Sequence, residues 1–184
     1  IKDGVAVTKF LYWIKNTNIK KLDEIKVEEK LESFRKKSKN YLFPSFSTIA
    51  GSGPNGAIIH YRSNIKSNRK LNKDHLLLVD SGGQYKWGTT DITRTISFSD
   101  PSKKTKELYT RVLKGHIAVA MSKIDKLKNG NNIDKLARKS LNSINLDYRH
   151  GTGHGVGFFM NVHEGPQSIS CLLYTSDAAD ERQS

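Results

Sequence analysis

The stretch "HLLLVDSGGQYKWGTTDITRTISF", His75 to Phe98, constrains the fold more tightly than any other part of the chain. The apolar run Leu76–Val79 reads as a buried strand that ends where Asp80 and then Gly82-Gly83 begin a loop. Thr93, Thr95 and Ser97 then alternate with Ile92, Ile96 and Phe98 around a break at Arg94, the period of a second strand. Two carboxylates therefore flank a short glycine-containing loop: Asp80 at the end of one strand and Asp91 at or near the start of the next. Placed on neighbouring hairpin strands, they can point into one pocket.

The text before and after this stretch is helical. Residues 4–15 place Val5, Val7, Phe10, Leu11 and Ile14 on one side at helical spacing. A second helix is expected from Asp23 to Ser38, with Val27, Leu31 and Phe34 on its buried stripe. Pro44 closes that region, and Pro54-Asn55-Gly56 marks a turn between short apolar runs. After Asp100-Pro101, Ser102 is placed to cap a long helix over Lys103 to Leu127. A shorter helix follows Gly130, from Asn132 to Ile144. The order α, α, β-hairpins, α, α, β predicts an α+β fold, with helices packed on one face of a mostly antiparallel sheet.

At 184 residues the chain can bury one substantial core, or one and a fraction. No run of 18 or more apolar residues is present, so no membrane partner is expected. The opening "IKDGVAVTKFLYWI" carries Asp3 and Lys9 inside its apolar stretch and lacks a small-residue cleavage site, which does not match a signal peptide. It also lacks an initiator Met and reads as the inside of a longer chain. The single cysteine, Cys171, excludes an internal disulfide framework and fits a reducing, cytoplasmic setting. The net charge of +13 comes from lysines spread from Lys2 to Lys139 among asparagines, with no arginine cluster and no aromatic interleaving. That pattern is a solvated surface, and no nucleic-acid partner is expected.

The segment "RHGTGHGVGFFMNVHEGP" carries His150, His154 and His163 among five glycines. Carboxylate oxygens with an imidazole completing the shell hold hard and borderline divalent cations, and His154 lies between Gly153 and Gly155, where backbone can approach closely. Taken singly, each residue has a plainer reading. Asp80 suits a turn bonded to the backbone of Gly82 or Gly83, Asp91 suits a cap, and His154 suits a structural hydrogen bond. Their conjunction points to a metal site.

That conjunction resembles the metal-dependent aminopeptidases and prolidases of metallopeptidase family M24, which share the pita-bread fold. "LLLVDSGGQYKWGTTDITRTISF" resembles the strand pair with the first two aspartate ligands, and "HGTGHGVGFFMNVHEGP" the segment with the histidine ligand. "GPNGAIIHY" resembles an upstream segment with a substrate-site histidine, His60. The wording is most similar to the long, cytosolic type of Xaa-Pro aminopeptidase. The resemblance implies two divalent ions, manganese with zinc or cobalt as alternatives, and attack by a hydroxide bridging them. Asp80 would chelate one ion, Asp91 would bridge both, and His154 would bind the other. His60 and His163 would hydrogen-bond the substrate carbonyl or oxyanion, with His150 lining the same pocket.

Peptides with proline at the second position are the implied substrates, and family members of this type are often homodimers. Two further glutamate ligands of the family pattern have no counterpart here. The expectation is a partial pita-bread catalytic domain over residues 1–170, incomplete at its C-terminus and inactive alone. "CLLYTSDAADERQS", residues 171–184, is expected to be a non-native or disordered tail. The rival readings are a pita-bread binding module without catalysis and a prolidase acting on X-Pro dipeptides.

Overall fold

α1 (Lys2–Asn16) and α2 (Glu24–Arg35) form the helical layer of the computed structural model, which describes residues 1–123, 126 and 129–170. The expectation for residues 171–184 lies outside the described residues. The chain divides into two compact units: Ile1–Asp100 with Val156–His163, and Pro101–Gly155 with the described residues from Glu164 onward.

In the first unit, α1 buries Asp3, Ala6, Val7, Phe10 and Ile14. These recur every three or four residues and so share a face; Val5 falls off that stripe and is exposed, contrary to expectation. α2 starts on Asp23, whose side chain accepts from Lys26 N at 2.9 Å, and buries Val27 and Leu31. Phe34 is only half-buried, with Lys30 and Lys37 over its ring, and the helix ends at Arg35 rather than Ser38.

β1 (Tyr41–Pro44), β2 (Ile49–Ser52), β3 (Leu77–Ser81), β4 (Gly83–Tyr85), β5 (Gly88–Thr89) and β6 (Ile92–Ile96) make two three-stranded antiparallel sheets instead of one. Their orders are β1-β4-β5 and β2-β3-β6. β3 and β6 pair directly, yet the segment between them is more than a loop: β4 and β5 form their own ribbon, and β4 pairs with β1. Leu77 and Val79 of β3, with Ala50 and Ile96 from its neighbours, pack on Val7, Phe10, Ile14, Val27 and Leu31 to make the core. Alternation then turns Leu78 and Asp80 to the opposite face.

In the second unit, α3 (Lys103–Ala120) is capped as expected by Ser102, which accepts from Thr105 N at 3.1 Å. It ends at Ala120, with Ser122 Oγ donating to Val119 O at 2.7 Å just beyond; the end expected at Leu127 lies outside the described residues. α4 (Gly130–Asn142) begins two residues earlier than expected because Asn129 acts as its cap, accepting from Asn132 N at 3.0 Å. β7 (Gly153–Gly155) and β8 (Glu164–Ile169) pair antiparallel.

Two buried carboxylates tie the first unit together. Asp3 Oδ1 accepts from Arg35 Nε at 2.7 Å and from Tyr85 OH at 2.8 Å, while Oδ2 accepts from Thr90 Oγ1 at 2.9 Å. Burial alone would push the Asp3 carboxyl up, but the hydrogen bonds and charge of Arg35, with Tyr85 and Thr90, outweigh it and hold it below the usual carboxylate range. Glu24 is wholly buried and accepts from Ser52 N at 2.7 Å, Asn55 Nδ2 at 3.0 Å, Tyr61 OH at 2.7 Å and Arg69 N at 3.0 Å.

Asp3→Asn should lower stability by about 3–5 kcal/mol near neutral pH, since it strands the buried Arg35 cation. A depressed carboxyl stabilises fully above its unfolded value and loses that contribution as pH falls through the folded one. The gap between Asp3→Asn and the unsubstituted chain in urea denaturation should therefore narrow below about pH 4; a gap of constant size down to strong acid contradicts this. Glu24→Gln sets an amide N–H₂ against converging donors and should cost about 2–4 kcal/mol. An unchanged urea midpoint would show that Glu24 is not the anchor described.

Candidate functional site

Asp80 occupies a strand position defined on both sides, opposite Ile49 of β2 and Thr93 of β6. It is half-buried, and its Oδ1 accepts from Thr93 Oγ1 at 2.7 Å. That bond sets the rotation of the carboxylate and leaves Oδ2 to another partner, the arrangement in which a second group orients a metal-binding carboxylate. Asp91 immediately precedes β6 and is exposed. In an extended chain, residues 91, 93 and 95 lie on one side, so Asp91 follows Thr93 onto the face that carries Asp80. Asp91 thus stands at the entry to the strand that pairs with the one carrying Asp80, with a full β-ribbon between them in sequence.

The turn between β3 and β4 needs glycine. A Cβ built on Gly82 would stand 2.0 Å from Thr90 O and 2.1 Å from Ser45 Oγ, so the approach to Asp91 passes directly over the end of the strand that bears Asp80. Gln84, buried in β4, saturates its amide here. Its Nε2 donates to Tyr85 O at 3.0 Å and Gly88 O at 3.2 Å, and its Oε1 accepts from Thr89 Oγ1 at 2.7 Å and Met160 N at 3.0 Å. The last bond fastens the segment Val156–His163, and with it His163, to the ribbon.

His60 lies just beyond the short 3-10 turn Gly53–Ala57, which Glu24 holds through Ser52 and Asn55. Its φ of 53° is in the left-handed region, uncommon for a residue with a Cβ, and the next residue, Tyr61, is pinned by its hydroxyl to Glu24. Both His60 and His163 are exposed in the first unit.

His150 and His154 belong to the second unit. His154 Nδ1 lies 2.8 Å from Gly155 O; a carbonyl can only accept, so Nδ1 carries the proton and Nε2 the lone pair when the ring is neutral. His150 Nδ1 makes the same contact with Gly151 O at 2.7 Å, and its ring stacks on Tyr148 with centroids 4.7 Å apart. A Cβ on Gly155 would meet Glu164 O at 2.3 Å, so glycine after His154 does permit the close approach of β8. Gly153 has ordinary room.

The loop between α4 and β7 is also tied to a buried carboxylate. Arg138 Nε donates to Asp134 Oδ2 at 2.8 Å, while its Nη atoms donate to Asp147 Oδ1 at 2.8 Å, Tyr148 O at 2.6 Å and His150 O at 2.7 Å. Asp134 also accepts from the Thr152 hydroxyl. The pair Asp134–Arg138, four apart on one helix, was visible in the sequence as a possible ion pair; Asp3, Glu24 and Arg35 carried no such mark.

Oxygen donors from Asp80 and Asp91 and an imidazole nitrogen from His154 are chemically suited to manganese, zinc or cobalt. Among the described residues, no three His, Cys, Asp or Glu side chains are gathered into a cage for a metal ion. A surface cleft of about 500 Å³ lined by Tyr12, Trp13, Phe34 and neighbours contains none of the candidate residues. Among the described residues, no helix is long and apolar enough to cross a membrane.

Comparison with known proteins bears on this donor set. The model of metallopeptidase family M24 matches residues 2–182. Aminopeptidase P2 of Arabidopsis thaliana is 49% identical over 175 residues, covering 92% of this chain and 24% of that protein. Xaa-Pro aminopeptidase ApepP of Drosophila melanogaster is 46% identical over 179 residues, covering 96% and 29%. The chain thus spans about a quarter of the length of the curated relatives it matches. Among solved structures, the X-prolyl aminopeptidase of Caenorhabditis elegans, a cytosolic enzyme with a di-nuclear active site, superposes with a TM-score of 0.84 at 37% identity, covering 92% of this chain and 28% of that one. The prolidase of Pyrococcus furiosus superposes with a TM-score of 0.75 at 27% identity, covering 92% and 48%. The chain belongs to metallopeptidase family M24, and its α+β architecture is that of the family's pita-bread fold.

Proposed function

We propose that this chain is part of a metalloaminopeptidase that removes the N-terminal residue from peptides with proline in the second position. The observation that carries the reading is the placement of two carboxylates beside one strand pair, with Asp80 on β3 oriented by Thr93 and Asp91 leading into β6. It is supported by 44–49% identity to relatives named Aminopeptidase P2 and Xaa-Pro aminopeptidase. A cytoplasmic setting follows the description of the Caenorhabditis elegans enzyme.

Asp80, Asp91 and His154 would hold divalent cations, manganese first, with zinc or cobalt as alternatives. Such ions, when bound, acidify a water and polarise the scissile carbonyl. The chain's own groups do the rest of the work assigned here. Thr93 keeps the Asp80 carboxylate in one rotation. The Gly155 carbonyl holds the His154 tautomer that presents Nε2. His60 and His163 are hydrogen-bond donors for the oxygen on which negative charge develops, and removal of such a donor typically costs about 10²–10³ in rate. His150, stacked on Tyr148, is assigned to orient the substrate.

A prolidase is the second reading, favoured by the Pyrococcus furiosus superposition; its 27% identity, against 37% for the aminopeptidase structure, makes it the weaker one. A binding module would have no use for all of Asp80, Asp91, His154, His60 and His163.

With three donors the chain should take up a single Mn²⁺ weakly. Asp80→Asn, Asp91→Asn and His154→Ala should each weaken Mn²⁺ uptake about tenfold or more in an electron paramagnetic resonance titration. Affinity unchanged in all three variants would remove the metal reading. Incubated with an Xaa-Pro peptide and Mn²⁺, this chain should show no detectable turnover, whereas turnover comparable to a full-length relative would refute the need for further ligands.

A further inference from the structure

We infer that Asp3 is a positioning residue for Asp91, acting across the fold through Thr90; the inference rests on the reading of Asp91 as a metal ligand. Asp3 lies in the first turn of α1 and is 6% exposed. Arg35 grips both of its oxygens, and each oxygen takes one further donor. Oδ1 takes Arg35 Nε and Tyr85 OH, which fix the carboxylate itself. Oδ2 takes Arg35 Nη2 at 3.3 Å and, at 2.9 Å, the Thr90 hydroxyl, 87 residues along the chain and immediately before Asp91.

Thr90 is held at every polar atom. Its N donates to Gly83 O at 2.9 Å, and its carbonyl accepts from Ser45 Oγ at 2.8 Å. Its hydroxyl donates to Asp3 and accepts from Gly83 N at 2.9 Å. Movement toward the β3–β4 turn is blocked as well, because the space there is so small that Gly82 admits no Cβ. The backbone therefore enters β6 at a fixed point, and Asp91 follows with only its own side-chain rotations left. A carboxylate that is to share metal ions must be held to about 0.5 Å, and side-chain rotation alone cannot correct a displaced backbone.

A purely structural role for this network predicts that any broken bond to Asp3 has the same consequence. Positioning predicts that the Thr90 arm matters for metal and the Tyr85 arm does not. The test uses the full chain and Mn²⁺ as the probe, with urea midpoints and amide hydrogen exchange measured on each variant. Thr90→Val, or Thr90→Ala where the first does not fold, should weaken Mn²⁺ uptake about tenfold or more. Thr90→Ser, which keeps the hydroxyl, should restore it to near the unsubstituted value. Tyr85→Phe should lower the urea midpoint and leave Mn²⁺ affinity near that of the unsubstituted chain.

Two results overturn the inference: Mn²⁺ affinity unaltered in Thr90→Val while Asp91→Asn is weakened, or Tyr85→Phe weakening uptake as much as Thr90→Val. If Asp91→Asn binds as the unsubstituted chain does, or if the chain takes up no Mn²⁺, the ligand reading fails instead. Exchange of the Asp91 amide then decides positioning alone. Faster exchange in Thr90→Val than in Tyr85→Phe supports it, and equal exchange ends it.

Discussion

The ion pair between Asp3 and Arg35 is the contact on which the first unit depends. It joins the start of α1 to the end of α2, and through Tyr85 and Thr90 it reaches the ribbon between β3, which bears Asp80, and β6, which follows Asp91. Burying both charges is expensive, and the cost is offset only where every lone pair finds a donor. Asp3 meets that condition with donors from three elements distant in sequence, so folding all three together is the condition for keeping the carboxylate ionised.

The same device recurs twice. Glu24 gathers Ser52, Asn55, Tyr61 and Arg69 and so holds the turn before His60. Asp134, with Arg138, gathers Thr152 and the loop carrying His150, and His154 follows two residues later. In each case a helix supplies a buried carboxylate, and the backbone beside it carries a residue suited to chemistry. Loops so anchored can present exposed side chains without themselves being loose, which is what a site built on loops requires.

The elements whose legibility rests on apolar periodicity were readable in the sequence. β3, β6, α1, α2 and the Ser102 cap fall where spacing and capping residues put them, because the core they bury is a simple stripe of Phe10, Ile14, Val27, Leu31, Leu77 and Val79. The ends were less legible: α2 stops at Arg35, whose side chain is buried against Asp3, and α4 starts early on an asparagine cap. Two of the three buried carboxylates were not legible at all. Asp3 reads as a polar interruption of an apolar helix, and Glu24 as one charge among many on α2. Their burial depends on partners 28 to 87 residues away, and no local pattern encodes that. The candidate residues themselves were readable one by one, as strand-end aspartates and glycine-flanked histidines, but the bonds that orient them, Thr93 to Asp80 and His154 to Gly155, appear only in three dimensions.

Membership in metallopeptidase family M24 and the donor types support the proposed metal-dependent chemistry, and the account stands on one claim: that the segments so anchored carry the ligands. Electron spin echo envelope modulation of bound Mn²⁺ tests it most directly, because nitrogen coupling reports an imidazole in contact with the ion. The account predicts one histidine nitrogen, lost in His154→Ala and retained in His60→Ala, His150→Ala and His163→Ala. Modulation that survives in His154→Ala would contradict it.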